Sequence, residues 1–171
     1  GAELIMLKFE PNLKNITMRT LANILWHFPF FGFINALITF LVGGFLVLTV
    51  IGAPIGLGLI QLSKFLLKPF SSEMINKKDI DTDQNKLWKT FGLIVRILYF
   101  PYGLFITIVT IFQIAFLFIT IIGAPVALVL AKSLGTFFNP VNKVCVPKAV
   151  ADELSKRKSE KQVDAYLNKE Q

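Results

Sequence analysis

The sequence is poor in the residues that most chemistry needs. It has one cysteine, Cys145, and one histidine, His27, in 171 residues. A single cysteine excludes an internal disulfide framework and an all-cysteine metal site. Charge is scarce as well, at 17% of residues against about 25% in soluble domains. The scarcity is concentrated: Thr20 to Ser63 is a run of 44 residues without Asp, Glu, Lys or Arg, and Ile97 to Ala131 is another of 35. Neither run holds a carboxylate, which disfavours proton-coupled and sodium-coupled transport, whose pathways use buried acids. Catalysis is disfavoured on the same ground. No nucleophile and base stand together, His27 sits beside Trp26 as an interfacial aromatic anchor does, and Cys145 has no identifiable base. No catalytic residue, cofactor or metal ligand is expected.

What the chain has is apolar surface. Hydrophobic residues make up 54% of it, and the mean hydropathy is +0.62. A soluble fold of this size cannot hide two charge-free runs of such length, because its helices must show water a polar face. The sequence is that of an integral membrane protein. The first run is too long for a signal-peptide core of about 7–15 residues and ends in no small-x-small cleavage site, so it is expected to stay in the protein. The net charge of +7 would suggest nucleic acid in a soluble chain. Here the basic residues flank the apolar runs, which indicates attraction to the anionic inner leaflet and no nucleic-acid partner.

The chain repeats itself. Residues 21–29, Leu-Ala-Asn-Ile-Leu-Trp-His-Phe-Pro, align with 93–101, Leu-Ile-Val-Arg-Ile-Leu-Tyr-Phe-Pro, at an offset of 72. Ile51-Gly52-Ala53-Pro54 recurs identically as Ile122-Gly123-Ala124-Pro125, and Pro69 pairs with Pro140, both at an offset of 71. Each unit opens on a Phe-Pro-aromatic corner, Phe28-Pro29-Phe30 or Phe100-Pro101-Tyr102. About 20 apolar residues follow, enough at ~1.5 Å each to span the ~30 Å hydrocarbon layer. Gly-Ala-Pro then ends one helix and starts the next, since proline at a first helical position gives up no needed N–H. The second helices, Pro54 to Leu67 and Pro125 to Phe138, are only ~21 Å long, short for a crossing.

Each unit therefore crosses either once or twice. The amino-terminal flank carries Lys8, Lys14 and Arg19, the central loop carries Lys68, Lys77, Lys78, Lys86 and Lys89, and the tail carries Lys143, Lys148, Lys156, Arg157, Lys158 and Lys161. Basic residues in all three favour placing all three inside, with both termini cytoplasmic. The expected architecture is an all-α integral membrane protein of two tandem helical hairpins, about four membrane helices in all. The divisions are an extension at 1–19, repeats at 20–75 and 93–147, a linker at 76–92 and a charged helix at 148–171. Short cytoplasmic strands are expected at Leu4–Phe9, Glu73–Ile75 and Val144–Val146, and a basic, partly amphipathic helix at Pro147–Leu167.

The repeated Ile-Gly-Ala-Pro, followed by apolar residues, a Lys and Pro-Phe, resembles the YccF-type inner membrane component domain of bacteria. Members of that family carry Ile-Gly-Ile-Pro-x-Gly, a later Lys and a closing Pro-Phe-Gly. Met18-Arg19-Thr20-Leu21-Ala22-Asn23-Ile24-Leu25 is similar to the start of such proteins. The likeness covers 20–75 and 93–147, with departures: Ala53 and Ala124 stand for Ile, Ala127 for Gly, and Ser71 and Asn142 for the closing Gly. It implies an inner membrane location and a two-copy membrane fold, and supplies no catalytic residues.

Several constellations carry two readings. Gly52, Pro54 and Gly56, with Gly123 and Pro125, either expose helix N-termini that attract anions or form a hairpin turn with small residues for close packing; the turn is favoured. Lys132, the one charge between Ile97 and Val141, is either an intramembrane functional group or a snorkelling side chain. Lys64, Lys68 and Arg96 read as a cytoplasmic rim. Asp79-x-Asp81-x-Asp83 has Gln84 and Thr90 where a calcium loop needs Gly and Glu, so it reads as a solvated loop. The 17 phenylalanines face lipid or fill helix contacts. Polar residues within the runs, Asn35, Thr39, Thr49, Gln61, Thr107, Thr110, Gln113 and Thr120, suit helix packing or a pore lining. The leading expectation is a homo-oligomeric passive channel favouring small anions. The alternative is a non-transporting scaffold or accessory subunit that binds anionic lipid, or a protein through loop 73–89 or the tail.

Overall fold

The computed structural model describes residues 2–28, 30–80 and 86–168, with side chains from residue 14 onward. It is helical apart from one pair of short strands. Helix α1 (Ala2–His27) leads to α2 (Gly32–Leu48) and α3 (Ala53–Leu67), then strand β1 (Ser72–Asn76) and a 3-10 turn at Lys77–Asp79. Helix α4 (Lys86–Ile119) follows, then a 3-10 turn (Ile121–Gly123), α5 (Ala124–Phe138), strand β2 (Lys143–Pro147) and α6 (Lys148–Leu167). α2 packs along α3 and α4 along α5, so each Gly-Ala-Pro is the bend of a helical hairpin, as the sequence implies. The strands pair antiparallel, with Met74 opposite Cys145. Both hairpins therefore start and finish near one sheet, which defines a sheet end and, opposite it, a turn end.

The stretches Lys86–Ile119 and Ile121–Phe138 are long and apolar enough to cross a membrane. Residues 14–27 with α2 make a third such stretch, bent by 75°, while α3 is a shorter apolar helix. At ~1.5 Å per residue α3 is ~22 Å long, which is why only part of the hairpin matches the hydrocarbon thickness. The lipid-facing character is visible in what stays uncovered: Phe105, Phe112, Phe116, Ile119 and Ile121 along the second hairpin and Phe45, Leu48 and Ile51 along the first are all exposed. In water such a surface would drive aggregation; in lipid it costs nothing.

The buried core sits toward the sheet end. Leu62, Phe65 and Leu66 of α3 pack with Val129 of α5 and Trp26 of α1, and Met74 and Cys145 close the cluster from the sheet. Small residues allow the approach. Gly43 and Gly56 face each other across the first hairpin, where a Cβ on Gly56 would lie 2.5 Å from Gly43 O.

Three expected elements come out differently. Leu4–Phe9 is helical, part of α1; its Leu-Ile-Met-Leu-Lys-Phe run fits either period. The Phe100-Pro101-Tyr102 corner is the interior of α4, because in an apolar setting a helix keeps its remaining hydrogen bonds and runs through a proline. Its counterpart includes Pro29, which lies outside the described residues. The tail helix is present, but Val150, Val163, Tyr166 and Leu167 are exposed and only Ala151 is buried, so its apolar residues do not form one packed stripe.

Candidate functional site

At the sheet end the two hairpins are fastened by polar groups. Lys132 Nζ, on α5, donates to Pro69 O at 2.8 Å and Ser72 O at 3.4 Å and stands 3.8 Å from Glu73 Oε1. It also lies 5.8 Å above the Phe65 ring. Lys132, its side chain 31% exposed, thus reaches from the second hairpin to the start of β1. Gln61, on α3, does the reverse: its Oε1 accepts from Cys145 N at 3.2 Å. Lys148 Nζ, at the start of α6, donates to Glu73 Oε1 at 3.0 Å and Asp152 Oδ1 at 3.2 Å. Those two carboxylates hold the Lys148 ammonium above its ordinary pKa.

The carbonyls at the C-terminal ends of α3 and α5, which have no intrahelical donor, are met by side chains of the preceding helices. Trp26 Nε1 donates to Leu66 O at 2.8 Å, and Tyr99 OH donates to Phe137 O at 3.0 Å. His27 Nε2 lies 2.8 Å from Leu67 O, a contact that requires the Nε2–H tautomer. His27 is an anchor at the helix end. Asn23 adds two bonds to the turn after α3, from Nδ2 to Ser71 Oγ and from Phe70 N to Oδ1.

Beside this clasp lies a cavity of about 640 Å³ between the first turns of α4, the end of α5 and the ends of both strands. Lys89 and Arg96 reach it from α4, Lys78 from the turn after β1, and Lys143 from β2. Lys89, Gly92, Leu93 and Arg96 share one face of α4 at helical spacing. Asn142, with φ of 59°, turns the chain from Pro140 into β2 in a conformation asparagine tolerates. Among the described residues none of the four cations forms an ion pair. The nearby carboxylate of Asp79 is engaged by Lys158 at 3.1 Å. Burial lowers the Lys143 pKa from its ordinary value; Asp79 opposes that shift, and Arg96 and Lys78 add to it. An ammonium so placed gains from an anion.

The turn end is satisfied from within. Thr49 Oγ1 donates to Leu46 O at 2.7 Å and accepts from Gly52 N at 3.1 Å, and Ala53 N donates to Val50 O at 3.2 Å. In the second turn Thr120 Oγ1 donates to Leu117 O at 2.9 Å, and Gly123 N donates to Thr120 O at 2.9 Å. Pro54 and Gly56 are buried, as is Gly123, while Pro125 is partly covered. Lys64 and Lys68 are exposed at the sheet end on the first hairpin, away from the cavity that receives Arg96. Thr39 and Thr110 bond to carbonyls of their own helices.

Of the residues singled out from sequence, Arg96 enters the cavity and Lys132 the clasp. Lys78, Lys89 and Lys143 were legible only as flanking charges and Glu73 only as the start of a strand, because their convergence depends on the pairing of β1 with β2. Burial raises the Cys145 thiol pKa, with a hydrogen bond to Ser72 and the charge of Lys64 pulling the other way. Asp81 and Asp83 lie outside the described residues, and among the described ones no group of three His, Cys, Asp or Glu side chains is placed to hold a metal.

No curated protein and no solved structure matches the chain. Residues 21–72 match the YccF family, described as an inner membrane component domain. That segment runs from the end of α1 through the first hairpin to the first residue of β1, so it includes Trp26, Gly52-Ala53-Pro54 and Pro69. The match covers 52 of the 171 residues, so the similarity to YccF inner membrane component domains is one of this segment, the first hairpin and its flanks.

Proposed function

We propose that the chain is a non-transporting membrane scaffold or accessory subunit whose sheet end faces the cytoplasm and presents a basic recess to anionic groups. The observation that carries the reading is the set of four cations around one cavity without carboxylate partners among the described residues. Cations left unpaired at a membrane edge are a recognition surface for anionic headgroups or acidic partners. The positive-inside bias of the same residues supports an inside placement for this end.

An anion-favouring channel would use the open N-termini of α3 and α5. Thr49 and the turn carbonyls occupy the first donors there, so the helix breaks lend that reading no support. Homo-oligomerisation belongs to the channel reading and is not needed for a scaffold. The proposal also treats 20–75 and 93–147 as two copies of one unit. Met74 and Cys145, 71 positions apart, sit directly opposite each other. Gln61 and Lys132, equally 71 apart, each bond to the strand segment of the other half.

Planar-bilayer recordings of the purified protein under varied potential and salt test the non-transporting part. Silent bilayers are expected. Unitary conductance that reverses near the chloride equilibrium potential would replace the scaffold with the channel.

A further inference from the structure

We infer that the cavity between α4, α5 and the sheet is a binding site for a phosphate group, carried on the headgroup of an anionic phospholipid whose acyl chain lies along α4. The inference rests on the scaffold reading and names the ligand of its basic recess. Three observations point to it.

First, the donors suit phosphate. Arg96 offers a guanidinium fork, Lys78, Lys89 and Lys143 offer ammonium groups, and Asn76 and Asn142 border the same space with amides. Guanidinium and ammonium groups together are the usual means of holding phosphate oxygens. The half-buried Lys143 is the cation that such an anion relieves most, since Arg96 and Lys78 repel it and burial disfavours its charge.

Second, the cavity has apolar as well as polar lining, with Leu93 and Phe138 beside the cations. Phe138 meets Phe100 edge-on at 5.8 Å between ring centres. From Leu93 a stripe continues along α4 through Ile97, Phe100 and Leu104, all exposed and spaced to share one helix face. A free phosphate has no use for that stripe, whereas a lipid places its chain there and its headgroup among the cations. The volume of about 640 Å³ falls within the ~300–1,000 Å³ of small-molecule sites.

Third, the site is not a by-product of internal repetition. At the offsets that align the two halves, Ile24 stands where Arg96 does, Thr17 where Lys89 does and Ser72 where Lys143 does. The first half carries no such cations, so the recess belongs to the second half alone. Gly92 borders it where space is tight: a Cβ there would lie 3.3 Å from Val141 Cγ1.

Native mass spectrometry of the full chain in neutral detergent tests this, with short-chain phosphatidylglycerol, phosphatidylcholine of equal chain length, and inorganic phosphate as probes. One retained phosphatidylglycerol per chain is expected, with at least tenfold weaker retention of phosphatidylcholine. Arg96→Gln with Lys143→Gln should weaken phosphatidylglycerol retention about tenfold, and Lys156→Gln with Lys161→Gln on α6 should change it less than twofold. Should the first pair fold poorly, Lys78→Gln with Lys89→Gln, both at exposed positions, should give a several-fold loss with an unchanged melting transition. Equal retention by wild type and cavity variants, or of both lipids, overturns the site. Persistence of the lipid adduct in excess inorganic phosphate supports the lipid, while its displacement overturns the lipid assignment in favour of free phosphate. Unselective lipid retention with silent bilayers removes this site and leaves the scaffold standing; conductance removes the scaffold whatever the retention shows.

Discussion

Position 58 is decided by a carbonyl oxygen. A side chain on Gly58 would collide with Pro140 O, which is how closely α3 passes the turn after α5. Backbone does not yield as a flexible side chain does, so Gly58→Ala should lower stability by about 1–3 kcal/mol, on the scale of other core overpacking. Gly44, which has nothing within 4 Å of an added Cβ, is the control, and Gly44→Ala should be neutral or slightly stabilising because alanine is the better helix former. Thermal unfolding in detergent distinguishes the two. Sequence made Gly52 and Gly56 conspicuous through their motif, yet gave no sign of Gly58, because the partner is 82 positions away. Lys148 is the other informative residue. Its pKa is raised by hydrogen bonds to Glu73 and Asp152, so its contribution is fully present below the ordinary lysine value of 10.5 and is lost as pH rises through the higher folded value. Lys148→Met should therefore cost up to about 1 kcal/mol at pH 8, with the difference from wild type shrinking above pH ~10.5. A pH-independent difference would mean that packing, not charge, is what the substitution removes.

Among the elements, the helices were legible wherever an apolar run met Gly-Ala-Pro: α3 and α5 begin one residue before the expected Pro54 and Pro125 and end at the expected Leu67 and Phe138. The strands were legible as centres, Glu73–Ile75 and Val144–Val146, and the pairing extends each by one residue at both ends. Two things were not legible. Leu4–Phe9 is too short for its period to choose helix over strand, and a proline marks a break or an uninterrupted helix according to its surroundings, which is why Pro101 lies inside α4. The register itself makes a sharp test. Lys77 N bonds to Asn142 O and Lys148 N to Ser71 O, which makes Met74 and Cys145 a non-hydrogen-bonded pair, consistent with Cys145 N turning to Gln61. Such pairs hold Cα atoms ~4.5 Å apart, inside the range a disulfide spans. Met74→Cys should consequently oxidise to an intramolecular disulfide with Cys145, seen as a joined peptide after proteolysis, whereas Ile75→Cys, one register step away, should not.

At the scale of the whole molecule, charge and apolar surface are sorted along one axis. The exposed apolar residues clothe the hairpins toward Ile51 and Ile121, and the cations gather where α1, the sheet, the cavity and α6 meet. The membrane character and the basic flanks were legible in the sequence. The clasp and the cavity were not, because both join groups far apart in sequence, Lys132 to Ser72 across 60 positions and Arg96 beside Lys143 across 47. Both hairpins are fastened at one end, and we propose that this end is cytoplasmic. Single cysteines placed at Lys78, Lys158, Ile51 and Ile122 in a Cys145→Ser background, probed with a membrane-impermeant maleimide in intact cells and in inside-out vesicles, test it most directly. The account expects positions 78 and 158 to be labelled only in inside-out vesicles, and positions 51 and 122 never to react from the cytoplasmic side. Labelling of 78 and 158 from opposite sides, or of 78 in intact cells, would contradict it.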